Sequence, residues 1–123
     1  MKRVYLADSQ PDERLAFRLL LQDLNLLVVG EADDWQTLLA EAPATNPDLL
    51  VVDWGLVVAG SGAELVNLRK ACPTAVVIVL VSHLNAREQA ALSAGADAFI
   101  SKGEASDRVA ARVRAAVASI QSI

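Results

Sequence analysis

The stretch Asp48-Leu49-Leu50-Val51-Val52-Asp53 constrains the fold more than any other part of the chain. Its aliphatic residues run without polar alternation, the pattern of a strand buried on both faces rather than one with a wet side. Burial on both faces calls for a sheet with helices packed above and below it. The acid that ends the run is not explained by packing, because an unpartnered carboxylate is costly to bury. Asp53 is therefore the first candidate functional residue.

The rest of the chain supplies matching elements. Val4 to Ala7 reads as a first strand, ending at Asp8. A helix is expected from about Pro11 to Leu24, with Leu15, Leu19, Leu20 and Leu24 on one side. Ser9 and Asp12 fit a capping box, and Pro11 lies in the first turn. Leu26 to Gly30 is a second strand. Asp34 to about Ala42 is a short helix that Pro43 is expected to stop, and Asn46-Pro47 is turn chemistry. After the Asp48–Asp53 strand, Gly55 to Gly62 reads as a loop with three glycines, and Ala63 to Ala71 as a helix. Ala75 to Val81 is a fourth strand. Asn85 and Glu88 can cap a helix running to Ser93 and ended by Gly95. Ala98 to Ile100 is a fifth strand. A last helix from about Glu104 carries Val109, Val113, Val117 and Ile120 at helical spacing.

This is one domain, residues 1–123, of five βα units. Such alternation implies a parallel sheet with right-handed crossovers. Only 4% of the residues are aromatic, so the core must be built from Leu, Val, Ile and Ala. The formal charge of −4 argues against direct nucleic-acid binding, which needs a basic surface. The longest aliphatic run, Ala75 to Val81, is far short of the roughly 20 residues of a membrane span. The N-terminus meets Asp8 too soon for a signal peptide. A single cysteine, Cys72, excludes an internal disulfide and reads as a half-buried filler. The expected compartment is the cytoplasm.

In doubly wound sheets, function gathers beyond the carboxyl ends of the strands. That rule selects Asp8, Asp53, Ser82 and Lys102. Carboxylates hold a hard cation such as Mg²⁺. An aspartate can act as a nucleophile and form an acyl phosphate. A hydroxyl and a lysine can bind phosphoryl oxygens. Gly60-Ser61-Gly62 lacks the lysine of a phosphate loop.

Three segments carry a family resemblance. They are Arg3-Val4-Tyr5-Leu6-Ala7-Asp8-Ser9-Gln10-Pro11, Pro47-Asp48-Leu49-Leu50-Val51-Val52-Asp53 and Ala94-Gly95-Ala96-Asp97-Ala98-Phe99-Ile100-Ser101-Lys102. Over essentially its whole length the chain resembles the receiver domains of two-component response regulators. The resemblance implies a flavodoxin-like (βα)5 domain with strand order 2-1-3-4-5. It implies phosphorylation of Asp53 by a histidine kinase or phosphotransfer protein, and Mg²⁺ held by Asp8, Asp53 and the carbonyl of Gly55. Lys102 would bind the phosphoryl group, and Phe99 would occupy an aromatic switch position. The switch hydroxyl falls on Ser82, or on Val81, which has none, if the alignment is anchored at His83. Two departures stand out: Ser9 replaces the second acid of the pocket, so Mg²⁺ is expected to bind weakly, and no proline follows in Leu56-Val57.

The resemblance further implies a signalling receiver rather than an enzyme, with a downstream protein partner and a homodimer contact through the last strand and last helix. Arg108, Arg112 and Arg114 would lie off the apolar stripe, available to an acidic partner. A phosphorylation-independent interaction module is the alternative, favoured by Ser9. A phosphatase is disfavoured by Gly55, where a second acid would stand. Trp54 is a gate over the site or a packed anchor. Lys102 is expected to serve signalling more than stability.

Overall fold

The computed structural model describes residues 1–58, 63–82 and 95–120. The strands are β1 (Arg3–Ala7), β2 (Leu27–Ala32), β3 (Leu49–Asp53), β4 (Val76–Val81) and β5 (Ala98–Ser101). The described helices are α1 (Pro11–Asp23), α2 (Trp35–Thr45), α3 (Trp54–Val58), α4 (Glu64–Ala71) and α5 (Ser106–Ala118). All strands are parallel, in the order β2-β1-β3-β4-β5. The helix expected between Asn85 and Ser93 lies outside the described residues, as does most of the glycine loop before α4.

Strand pleating divides the core into two layers. On one face Tyr5, Ala7, Leu50, Val52, Val77 and Val79 pack with Leu38 and Ala42 of α2 and Leu65 and Leu68 of α4. On the other, Val4, Leu6, Leu49, Val51, Ile78 and Leu80 pack with Leu21 of α1 and Val109, Val113 and Ala116 of α5. Every residue of β3 is buried, as its unbroken apolar run requires. Each fully buried Leu or Val contributes about 1.5–3 kcal/mol relative to exposure, so the two layers supply most of the driving force. Cys72 is buried in the first layer, and burial pushes its thiol pKa up.

Helix boundaries depart from expectation in four places. In α1 the leucine stripe holds only in part: Leu20 and Leu24 pack on the second core layer, but Leu15 and Leu19 are 44% and 54% exposed and Leu21 is fully buried instead. Leucines at 15, 19, 20, 21 and 24 surround the helix and define no unique face. The choice falls to Arg14 and Arg18, which turn toward Glu31 of β2. The capping box is also absent, for the N-cap is Gln10, without a side-chain cap, and Ser9 is exposed. Asp8 does the work instead, its Oδ1 accepting the Gln10 backbone N–H at 2.9 Å.

Pro43 does not stop α2 but lies in its last turn. A proline there forfeits one helical hydrogen bond, and full burial of Ala42 and Leu38 offsets the loss. Asn46, left-handed at φ 50°, makes the actual stop. Third, residues 54–58 are helix α3, not the start of a loop. Burying Val57 and packing Trp54 and Leu56 on the core stabilises this turn, so Trp54 is a packed anchor. Finally, the last helix begins at Ser106; Val109 and Val113 are buried as expected, but Ala116 takes the third core position while Val117 and Ile120 are half-buried.

Candidate functional site at the carboxyl edge of the sheet

Asp8 follows β1, Asp53 ends β3 and Lys102 follows β5. Parallel strands bring their carboxyl ends to one edge, so residues far apart in the chain become neighbours there. The backbone fixes two of the three. Asp8 N–H donates to Ala32 C=O at 3.0 Å, and Lys102 N–H donates to Val81 C=O at 2.8 Å. Strands lie about 4.8 Å apart, so the Lys102 side chain crosses the end of β4 to reach β3 and β1. Its Nζ lies 2.8 Å from Asp8 Oδ2 and 2.9 Å from Asp53 Oδ1.

Asp8 is completely buried, and each of its oxygens has a partner. Oδ1 takes the Gln10 N–H, Oδ2 takes Lys102, and the backbone carbonyl takes Arg14 Nη1 at 2.7 Å. Asp53 is 8% exposed. With Oδ1 paired to Lys102, Oδ2 is turned toward Gly55. A Cβ at Gly55 would lie 2.8 Å from that oxygen, closer than side-chain carbons approach. Glycine at 55 therefore makes room for the Asp53 carboxylate, a reason the sequence did not reveal.

Burial by itself lowers the Lys102 pKa, but hydrogen bonds to Asp8, Glu13 and Asp53 outweigh it and hold the ammonium above its ordinary range. Lys102 is thus a fixed positive charge that neutralises buried carboxylates already in the resting protein.

Glu13 is the residue that sequence reasoning missed. Its Oε2 lies 2.6 Å from Lys102 Nζ, closing a three-carboxylate ring around the ammonium. A helical side chain leans back over the preceding turn. Glu13 lies in the first turn of α1, a helix whose rotation its leucines leave open, so the sequence carried no signal for this contact. Arg14 and Arg18 buttress the same helix through Glu31, at 3.3 and 3.0 Å. Beside the cluster, a groove of about 220 Å³ between α1 and α5 is lined by Glu13, Phe17, Leu20, Lys102 and Val109.

The remaining candidates are spread around this centre. Ser82 occupies the exposed bend after β4, and Val81 is buried within the strand. Phe99 is half-buried on β5, with the Arg112 guanidinium 5.8 Å from its ring centroid. Arg112 also bonds Glu104 at 2.9 Å, so it is not the uncommitted charge expected from the sequence; Arg108 and Arg114 are exposed.

Asp8 and Asp53 are hard oxygen donors of the kind Mg²⁺ accepts, usually as one or two carboxylates completed by water. Three carboxylates around one ammonium leave the cluster with a formal charge of −2, which favours a cation. Among the described residues, however, no group of three or more His, Cys, Asp and Glu is arranged to hold a metal ion. The donor set fits a cation held by two carboxylates and water. No described helix is long and apolar enough to cross a membrane.

Comparisons with known proteins agree with this fold. The family model for the response regulator receiver domain matches residues 4–114. A protein of Pseudomonas aeruginosa is 33% identical over 106 residues, covering 85% of this chain and 51% of its own length. The KDP operon transcriptional regulatory protein KdpE of Escherichia coli is 31% identical over 118 residues, covering 95% of this chain and 52% of its own. The chain thus spans about half the length of these curated relatives. The signal receiver domain of NarL from Mycobacterium tuberculosis superposes with a TM-score of 0.82 at 25% identity, over 96% of this chain and 97% of that one. With its sheet order, its strand-end acids and lysine, and a family match over nearly all its length, the chain belongs to the response-regulator receiver domains.

Proposed function

We propose that this receiver accepts a phosphoryl group on Asp53 from a histidine kinase or phosphotransfer protein and thereby alters a surface read by a downstream partner. The single observation that carries the reading is the Lys102 ammonium held between Asp8 and Asp53 at the carboxyl edge of the sheet. A nucleophile, a fixed cation and excess negative charge for a metal are what phosphoryl transfer needs, since positioning and charge neutralisation dominate its catalysis.

In the transfer, an Asp53 carboxylate oxygen attacks phosphorus. The bond to the donor imidazole nitrogen breaks as the O–P bond forms, and the nitrogen leaves with the electron pair. Lys102 neutralises the phosphoryl oxygens, and Gly55 leaves room for the carboxylate. Mg²⁺, held by Asp8 and Asp53 with water and the Gly55 carbonyl, would supply further charge neutralisation. Ser82 would hold the phosphoryl group and Phe99 would pass its arrival to α5. A homodimer through β5 and α5 is the interface this reading favours, with Arg108 and Arg114 at its rim. The compartment is the cytoplasm, and the role is signalling rather than turnover of a substrate.

A second reading, a phosphorylation-independent module, draws support from Ser9 and from Lys102 having three carboxylate partners already. Intact mass separates the two. With acetyl phosphate and Mg²⁺, wild type gains one phosphoryl mass and Asp53→Asn gains none; an unlabelled wild type favours the module.

A further inference from the structure

We infer that Glu13 is a place-holder on Lys102: it occupies the ammonium hydrogen that an incoming phosphoryl group must take, and so sets the rate at which Asp53 is modified. The inference rests on the reading of Asp53 as phosphoacceptor. A lysine ammonium has three N–H donors and no more. Here three carboxylates stand within 2.9 Å of it, Asp8, Glu13 and Asp53. A phosphoryl oxygen can bond Lys102 only if one of them lets go.

The three are not equally easy to displace. The Asp8 side chain is 1% exposed, so releasing it strands a carboxylate with little water, and the Asp53 carboxylate, 11% exposed, keeps its charge and its hold on Lys102 through Oδ1 until the O–P bond has formed. The Glu13 side chain is 50% exposed and is readily rehydrated when its pair breaks. Glu13 is therefore the partner that yields. It stands on the first turn of α1, so its departure would also free that turn from the loop carrying Lys102, through no contact with phosphorus itself. Glu13 acts through Lys102 and is a positioning residue. It also supplies a negative charge at the mouth of the site, which slows an anionic phosphodonor.

The test compares wild type, Glu13→Gln and Glu13→Asp by initial labelling rate with acetyl phosphate, across Mg²⁺ and salt titrations. The glutamine keeps the shape without the charge; the aspartate keeps the charge but falls short of Lys102. Both variants should label about two- to fivefold faster than wild type at low salt, the strength of a half-exposed ion pair. The ratio should shrink as salt screens the pair. Half-maximal Mg²⁺ should rise less than tenfold in Glu13→Gln and stay near wild type in Glu13→Asp, because Glu13 adds to the field of the cluster without holding the metal. A merely structural Glu13 would alter melting but neither the rate nor its salt dependence.

Variants that label no faster than a labelling wild type overturn the place-holder and leave Asp53 as acceptor. Acceleration by glutamine alone reduces Glu13 to a field effect and overturns it too. A Mg²⁺ requirement raised tenfold or more makes Glu13 a metal ligand instead. If wild type and both variants stay unlabelled, the phosphoacceptor reading fails and the place-holder fails with it. An unlabelled wild type beside labelled variants supports the place-holder in its strongest form.

Discussion

Lys102 Nζ lies 2.8 Å from Asp8 Oδ2 although 94 residues separate the two in the chain. Neither group is free to adjust. Asp8 is pinned by backbone bonds to Ala32 and Gln10, and the Lys102 backbone is pinned to Val81. The sheet thus fixes an ion pair before any ligand arrives.

Removing the lysine should therefore be costly. Lys102→Met leaves Asp8 and Asp53 buried without a counter-charge, a loss of roughly 3 kcal/mol in unfolding free energy. Asp53→Asn relieves repulsion within the cluster and leaves Lys102 two partners, so it should raise the melting temperature of the metal-free protein. Urea unfolding of both variants checks the pair. A Lys102→Met protein as stable as wild type would mean that water already screens the cluster.

Gly55→Ala sets two effects against each other. In α3 alanine is the better helix former by about 1 kcal/mol. Its Cβ would, however, sit 2.8 Å from Asp53 Oδ2 and push the carboxylate aside. We expect melting unchanged within a few degrees and labelling of Asp53 slowed at least tenfold. Normal labelling would place the reactive oxygen away from Gly55.

Tyr5 gives a pH test. Its hydroxyl lies 3.2 Å from Glu41 Oε1, and burial together with that carboxylate pushes the phenol pKa up from 10.0 to about 12. The folded state thus holds the proton more tightly than the unfolded chain. The stabilisation is whole below pH 10 and is lost as pH rises toward 12. Tyr5 is the only tyrosine, so phenolate absorbance reports it directly. The native titration should have its midpoint near pH 12. Tyr5→Phe should flatten the fall in stability over that window, leaving the share due to Lys102, whose pKa is also raised.

Ser9→Asp restores the acid that the pocket lacks. It should tighten Mg²⁺ about tenfold or more, which corresponds to about 1.4 kcal/mol, and it should speed labelling of Asp53. Helix capping does not confound the comparison, because Ser9 is exposed and the N-cap is Gln10. Calorimetric Mg²⁺ titration decides; equal affinities would mean that another oxygen already substitutes.

The sheet was legible in the sequence because a doubly buried strand such as β3 leaves no choice of environment. Asp8, Asp53 and Lys102 were legible because strand ends are marked where apolar runs stop. Glu13 was not, because its role depends on how α1 rotates, and the leucines on every side of that helix hide its rotation. Gly55 was named for its carbonyl, and only the geometry shows that its missing Cβ also makes room for the Asp53 carboxylate. Residues 55–58 read as loop because glycine weakens a helical pattern, whereas burial of Val57 and packing of Trp54 decide the matter.

The most direct test of the central claim is to find where the phosphoryl group sits. An acyl phosphate is reduced by borohydride to an alcohol, so a phosphorylated aspartate becomes homoserine, readable by peptide mass mapping. After acetyl phosphate, Mg²⁺ and borohydride, the account predicts homoserine at position 53 and at no other acid. Homoserine at Asp8 or elsewhere, or none under conditions that label an ordinary receiver, would contradict it.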